Sequence, residues 1–267
     1  MYIYWPREKK SPTKNFGDAL NSEIGVFFSG EKVINANQNK NVPKGADVYL
    51  VCGSSLTFAD RPTIVWGSAV LTPRWNIKYA PKKVHAVRGP ITRSYLLNRN
   101  IKCPEVYGDP GLLCPLMFRP RSKRKRYRVG IIPHVVDMKS IKEWGLEEGV
   151  LLIDITSGFQ KVVNQVNACE YILSSSLHGL ILADSYGIPN LWVNITGIPM
   201  AKGKFNKYHD YFMSIGRKIY RPNNIVKNNI KKVSSFHKSC RSPDLNINMN
   251  NLLEACPFNK KEISWKI

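Results

Sequence analysis

Paired cysteines are missing from this chain. Its six cysteines, Cys52, Cys103, Cys114, Cys169, Cys240 and Cys256, form no C-x-x-C pair. That argues against a zinc site and leaves reduced thiols as the plain reading, those in apolar runs acting as small hydrophobes. No uninterrupted apolar run reaches the roughly 20 residues of a membrane-spanning helix. The first residues, Met1 to Lys10, carry charge after their short apolar stretch instead of before it, so no secretory leader is expected. The chain therefore reads as soluble and cytoplasmic. There is no internal repeat, no RNP-like aromatic motif and no paired Cys/His spacing, so nucleic acid is not the expected partner.

Acid is scarce as well. The 267 residues carry 19 Asp and Glu against 40 Lys and Arg, a formal net charge of +21. The remaining explanations for such a balance are anionic small molecules and an anionic membrane surface. The length and the 43% hydrophobic content suffice for two domains with their own cores.

Short apolar runs alternate with helical patterns. Tyr2 to Trp5 reads as a strand, followed by a helix carrying Leu20, Ile24, Phe27 and Phe28. Val48 to Gly53, Thr63 to Gly67 and Val84 to Val87 have the continuous apolar character of buried parallel strands. Gly89-Pro90 then opens a helix through Leu97. Seven of the ten residues from Arg119 to Arg128 are basic, which fits a solvated linker. Beyond it the pattern restarts, with strands at 128–132, 150–154, 171–174 and 190–193 and helices at 157–168 and 178–186. This alternation predicts an α/β protein of two Rossmann-like domains with parallel sheets bordering a cleft. The expected boundaries are 1–118 for the first domain, 119–128 for the linker and 129–245 for the second domain. Residues 246–267 form a tail with a short helix near Leu252, which would pack back across the cleft.

Parallel sheets bind ligands at the carboxyl ends of their strands, so the turns there hold the candidate residues. Ser174-Ser175-Ser176-Leu177-His178-Gly179 joins a strand to a helix start, whose N–H groups favour anions. The three hydroxyls add donors, Gly179 would admit a ligand to the backbone, and His178 can hold or donate a proton. Asn15, Gly17 and Asp18 open the first helix, where Asp18 is a candidate acid or base, with a favourable helix-dipole charge as the alternative. Arg88 precedes a helix and offers a planar clamp for carboxylate or phosphate. His134 ends the first strand of the second domain. Lys204 and Tyr208 lie in a basic, aromatic stretch able to clamp phosphate or stack on a sugar. Asp109, in a Gly-Asp-Pro turn, reads as structural.

Five motifs in order, NFGDALN (Asn15 to Asn21), VRGPITR (Val87 to Arg93), YGDPGLL (Tyr107 to Leu113), IIPHVVD (Ile131 to Asp137) and SSSLHGLILADSYGIP (Ser174 to Pro189), resemble those of the polysaccharide pyruvyl transferase family. The resemblance implies a GT-B-like fold. It also implies transfer of pyruvate from phosphoenolpyruvate to a sugar of a bacterial surface polysaccharide or its lipid-linked precursor, giving a cyclic ketal and free phosphate. No metal or other cofactor is then required. His178, Asp18 and His134 become the candidate catalytic residues. Arg88, Ser174, Ser175, Ser176, Gly179, Asn15, Gly17, Lys204 and Tyr208 become the candidate substrate-binding ones. Two other readings compete: a GT-B glycosyltransferase using a nucleotide-linked sugar, including a CMP-linked acidic one, and a non-enzymatic binder of polyanions.

Overall fold

Two parallel sheets organise the chain, and each is built from strands of only two to six residues. The computed structural model describes residues 1–6, 16–37, 41–122, 124–195 and 206–258. In chain order the first half supplies β1 (Tyr2–Ile3), α1 (Phe16–Ser29), β2 (Ile34–Asn35), β3 (Val48–Leu50), β4 (Ile64–Trp66), β5 (Lys83–Ala86), α2 (Pro90–Leu97) and α3 (Cys114–Met117). Next come β6 (Tyr127–Ile132), α4 (Met138–Trp144), β7 (Val150–Leu152), α5 (Phe159–Asn167), β8 (Cys169–Ser174), α6 (Leu177–Ser185) and β9 (Asn190–Ile195). The last elements are α7 (Asn206–Ser214), β10 (Asn223–Ile225) and α8 (Met249–Glu254).

The chain divides into two units. Unit 1 takes residues 1–117, 201–219 and 245–267, and unit 2 takes 118–200 and 220–244. Helix α7 is grouped with unit 1, although it follows most of unit 2 in the sequence. The reason is a side-chain contact between Asp210 of α7 and Thr92 of α2, two positions 118 apart in sequence. The tail also belongs to unit 1: Trp66 Nε1 donates to Leu252 O at 2.8 Å, and the Phe258 ring packs edge-on to Trp66. The stretch 119–128 is not wholly linker, because β6 begins at Tyr127; its described basic side chains are nonetheless exposed.

In unit 1 the strand order is β2-β1-β3-β4-β5, and in unit 2 it is β10-β9-β8-β6-β7, with every pairing parallel. Read from the edge strand β7, unit 2 runs 2-1-3-4-5 in its own chain order, as unit 1 does, the doubly wound Rossmann-like pattern. Parallel strands need covered faces, which explains the apolar runs at β3, β4 and β6. Helix α6 is mostly apolar, has no exposed polar face and buries all nine of its residues, His178, Asp184 and Ser185 included. None of the six cysteines is disulfide-bonded. Burial pushes the Cys103 thiol up to about 11 and the Cys169 and Cys240 thiols up to about 12, so these thiols stay protonated near neutral pH. Among the described residues no helix is long and apolar enough to cross a membrane.

Candidate active site

A doubly wound sheet opens a crevice where successive crossovers leave in opposite directions. In unit 2 that point lies between β6 and β8, whose last paired residues are Ile132 and Ser174. The two strand ends carry IIPHVVD and SSSLHG, so the topology brings two motifs 41 residues apart onto one edge. The His134 N–H donates to Ser175 Oγ at 2.9 Å, and that hydroxyl donates to Asp137 Oδ2 at 2.6 Å. Ser174 is wholly buried; its hydroxyl faces the carbonyls of Ile132 and Ser176 at 2.8 and 2.9 Å and accepts from Ser176 N–H at 3.0 Å.

Ser174 and Ser175 each donate their hydroxyl proton inside the protein. They lock the β6 and β8 ends together and so fix the start of α6. Ser176 occupies the N-cap of α6, yet its hydroxyl makes no capping bond. The first intrahelical bond runs from Leu180 N–H to Ser176 O, so the N–H groups of Leu177, His178 and Gly179 precede the helical ladder. They form the positive end of the helix dipole. His178 stands in this first turn and is 9% exposed. Packing alone requires Gly179: a Cβ there would sit 2.3 Å from Ser174 Oγ and 2.9 Å from Ile132 Cγ2.

The neighbouring strand adds residues that the sequence did not single out. Past β7, Asp154 Oδ1 accepts from Thr156 N–H and Thr156 Oγ1 at 2.9 and 2.7 Å, forming a tight turn. Ser157 comes next, and its buried hydroxyl has no hydrogen-bond partner among the described residues. Gly158, with φ 98°, then caps α5. A strand running into Asp-x-Thr-Ser-Gly was the available signal, and it sits one strand along from His134.

Unit 1 treats Arg88 differently from expectation. The residue is 1% exposed instead of standing out as an open clamp. Its Nη2 lies 3.5 Å from Asp210 Oδ2, and its Nη1 donates to Ser54 Oγ at 3.2 Å. Asp210 also accepts from Thr92 N–H at 3.0 Å and from Thr92 Oγ1 at 2.8 Å. The positive start of α2 thus has its own anion, a carboxylate from α7. Gly89 permits this approach, since a Cβ would fall 1.9 Å from Asp210 O. Burial holds the Asp210 carboxyl above its ordinary range, outweighing the opposing pull of Arg88 and Thr92. Arg88 Nε and Nη2 still have no hydrogen-bond acceptor among the described residues.

The other candidates are scattered. Gly17 is buried in α1. Asn15, Lys204 and the Asp18 side chain lie outside the described residues. Tyr208 is 1% exposed, so its ring packs inside unit 1 instead of offering a face to a sugar. Asn21 is structural: its side chain donates to Gly17 O and accepts from Cys52 N–H, tying α1 to the end of β3. Asp109 caps its own turn by accepting from Gly111 N–H, as expected.

Two doubly wound parallel sheets, with polar groups gathered at the β6/β8 strand ends, define a Rossmann-like α/β protein. The polysaccharide pyruvyl transferase family model matches residues 2–196, and the chain belongs to that family. It is also 34% identical over 190 residues to an uncharacterized protein of Acanthamoeba polyphaga mimivirus, covering 67% of this chain. The chain spans 64% of that relative's length. Helix α7, which carries Asp210, lies beyond the span matched by the family.

Proposed function

We propose that the chain moves the pyruvyl group of phosphoenolpyruvate onto a sugar, forming a cyclic ketal and releasing phosphate. The GT-B-like arrangement that the family implies is part of this reading. The observation that carries it is the meeting of His134, Ser174 to Ser176 and the α6 start at the β6/β8 crevice of a chain in this family.

Phosphoenolpyruvate is a dianionic or trianionic donor, and it needs N–H or cationic groups on both phosphate and carboxylate. The α6 start offers N–H groups and the positive dipole end to one of them. Ser176 and Lys204 are the proposed additional donors. Arg88 is a proposed donor-side contact through its buried Nε and Nη2, which an anionic oxygen would satisfy.

In the reaction, a proton adds to the methylene carbon and leaves cationic character on the phosphate-bearing carbon. A sugar hydroxyl attacks that carbon and loses its proton. A second hydroxyl of the same sugar then displaces phosphate, closing the ketal. His178, in the first turn of α6, is the proposed proton donor or phosphate anchor. His134 is the proposed contact toward the acceptor, and Asp18 the proposed acid or base of unit 1. The acceptor would be a sugar of a bacterial surface polysaccharide or its lipid-linked precursor.

The test is incubation with phosphoenolpyruvate and a panel of acceptor glycans, monitoring phosphate release and a pyruvyl mass gain on the sugar. Thermal stabilisation supplies a quicker measurement, with phosphoenolpyruvate set against UDP and CMP. Stabilisation by a nucleotide but not by phosphoenolpyruvate would replace this reading with a nucleotide-sugar glycosyltransferase.

A further inference from the structure

Positive charge is concentrated in two stretches of unit 2. Residues 119–128 carry seven Lys and Arg and residues 220–241 carry six more, and neither stretch contains an Asp or Glu. The fold brings the two together. Arg126 N–H and Tyr127 N–H donate to Ala168 O, which sets the first stretch at the start of β6 beside the start of β8. The second stretch returns to the same edge. Arg241 exchanges both backbone hydrogen bonds with Asn190, the first residue of β9. Lys231 Nζ donates to Leu146 O, ahead of β7, at 3.3 Å. Arg128 Nη2 lies 3.0 Å from His237 Nε2. The edge where the strands of unit 2 begin is therefore basic from β9 across to β7.

This charge is not compensated within the chain. Every described Lys and Arg from 119 to 128 is exposed, as are Lys231, Lys232, Lys238 and Arg241. Among the described residues none of them forms an ion pair. Arg128 meets an imidazole where a carboxylate could have stood. His237 Nδ1 lies 2.7 Å from Ser234 O, which only accepts, so Nδ1 holds a proton and Nε2 accepts from Arg128. The contact orients the guanidinium without neutralising it. The bordering carboxylates are Glu147, Glu148, Glu170 and Asp244, and Glu147 accepts from Ser234 N–H at 3.0 Å. Clustered like charge repels itself and works against the compact state, and an anionic partner relieves that repulsion. The donor proposed above is not this partner. The six residues of β6 separate its start from the end near His134 by about 20 Å, well beyond a Debye length of about 8 Å.

Two observations favour a bilayer over nucleic acid. Single strands bind without sequence preference by stacking bases on open aromatic faces. The rings on this edge are half-buried and already matched. Tyr171 packs on His237, and Tyr220 packs on Trp192 with Arg241 5.0 Å over it. The second observation is Ile219, bonded to Tyr220 and flanked in sequence by Lys218 and Arg221, which is 50% exposed. An apolar side chain among bases gains nothing from a phosphate backbone, whereas the headgroup layer of a membrane buries it. We infer that the strand-start edge of unit 2 is a docking surface for an anionic lipid bilayer, with Ile219 as its apolar contact. This holds whichever reaction the chain catalyses, and it leaves the opposite edge, with His134 and His178, clear of the lipid.

The experiment floats the full chain with phosphatidylcholine vesicles, with and without roughly one-third phosphatidylserine, at physiological salt. The parent is expected to float with the anionic vesicles alone. A fourfold variant, Arg119→Gln, Arg121→Gln, Arg124→Gln and Arg126→Gln, should lower partition about ten-fold or more. The pair Arg221→Gln and Lys238→Gln should lower it several-fold, and it keeps the test open if the fourfold variant melts early. A charge-matched control in unit 1, Lys44→Gln, Lys78→Gln, Lys83→Gln and Lys102→Gln, should float as the parent does. Ile219→Ser should weaken flotation with the charge unchanged. Equal losses in the fourfold variant and its control would mean that net charge, not this edge, drives binding, and would overturn the docking surface. Flotation of Ile219→Ser at the parent's level would overturn it too. So would tighter binding of single-stranded poly(U) than of anionic vesicles by the parent, lost in the fourfold variant, which would reassign the edge to nucleic acid.

Discussion

Arg88 shows how one side chain can satisfy a pattern and still depart from it. A guanidinium at a strand end before a helix reads as an anion clamp, and an anion is indeed there; it is Asp210 of the same chain. Removing the cation from such a buried pair should cost about 3–5 kcal/mol, because the carboxylate is left unpaired. The sign of the pH effect is set by Asp210, whose folded pKa is already raised by burial. Without Arg88 it rises further, so the folded state holds a proton that the unfolded chain has released. Stability of Arg88→Met is then greatest below the ordinary carboxylate range and is lost as pH rises through the folded pKa. Urea midpoints at several pH values should show the gap to the parent closing on acidification; a gap independent of pH would mean that Asp210 is not the ionised partner. His178 carries the sharper functional prediction. His178→Ala should fold normally by circular dichroism and release no phosphate from phosphoenolpyruvate, and retained turnover would remove it from the mechanism.

At the scale of elements, the β6/β8 edge and α6 behave as one fitted joint. Gly179→Ala places a methyl group against Ser174 Oγ and Ile132, and Ser174 is tied by its own hydrogen bonds. The helix must shift off the strands, at a cost of about 1–3 kcal/mol. A thermal melt of the variant that matches the parent would show that the joint has slack. Ser175→Ala should also be costly, by about 1–3 kcal/mol in urea unfolding, because it strips partners from His134 N–H and Asp137. Most of these elements were legible in the sequence, since β3, β4, β6, β8 and β9 are apolar runs and α2 starts at Gly-Pro. The turn at His178 was legible too, because a strand-to-helix turn has a local signature. The short strands β2 and β10 were not, as two or three residues such as Ile34–Asn35 carry no periodicity. Helix α4 was missed as well, with a single buried residue, Ile141, to mark a face. The use of Ser174 and Ser175 was illegible for another reason: their hydroxyls donate to carbonyls and a carboxylate supplied largely by β6 and the turn after it, which only the register reveals.

The whole molecule is defined by its positive charge and by its broken chain path. With a net charge of +21 and an exposed basic stretch leading into β6, it should partition onto vesicles containing anionic lipid, with binding that falls as salt is added. Equal partition onto neutral and anionic vesicles at physiological salt would count against such docking. The division of the fold was the least legible feature, because contacts such as Thr92 with Asp210 and Trp66 with Leu252 span 118 and 186 positions. Those two contacts also set a timetable. During synthesis the sheet of unit 1 emerges first, but Trp66 waits for Leu252, and the α2 start waits for its carboxylate. Most of unit 2 is encoded ahead of both late partners and has to be translated before unit 1 can close. The half of the protein made first is thus the half completed last.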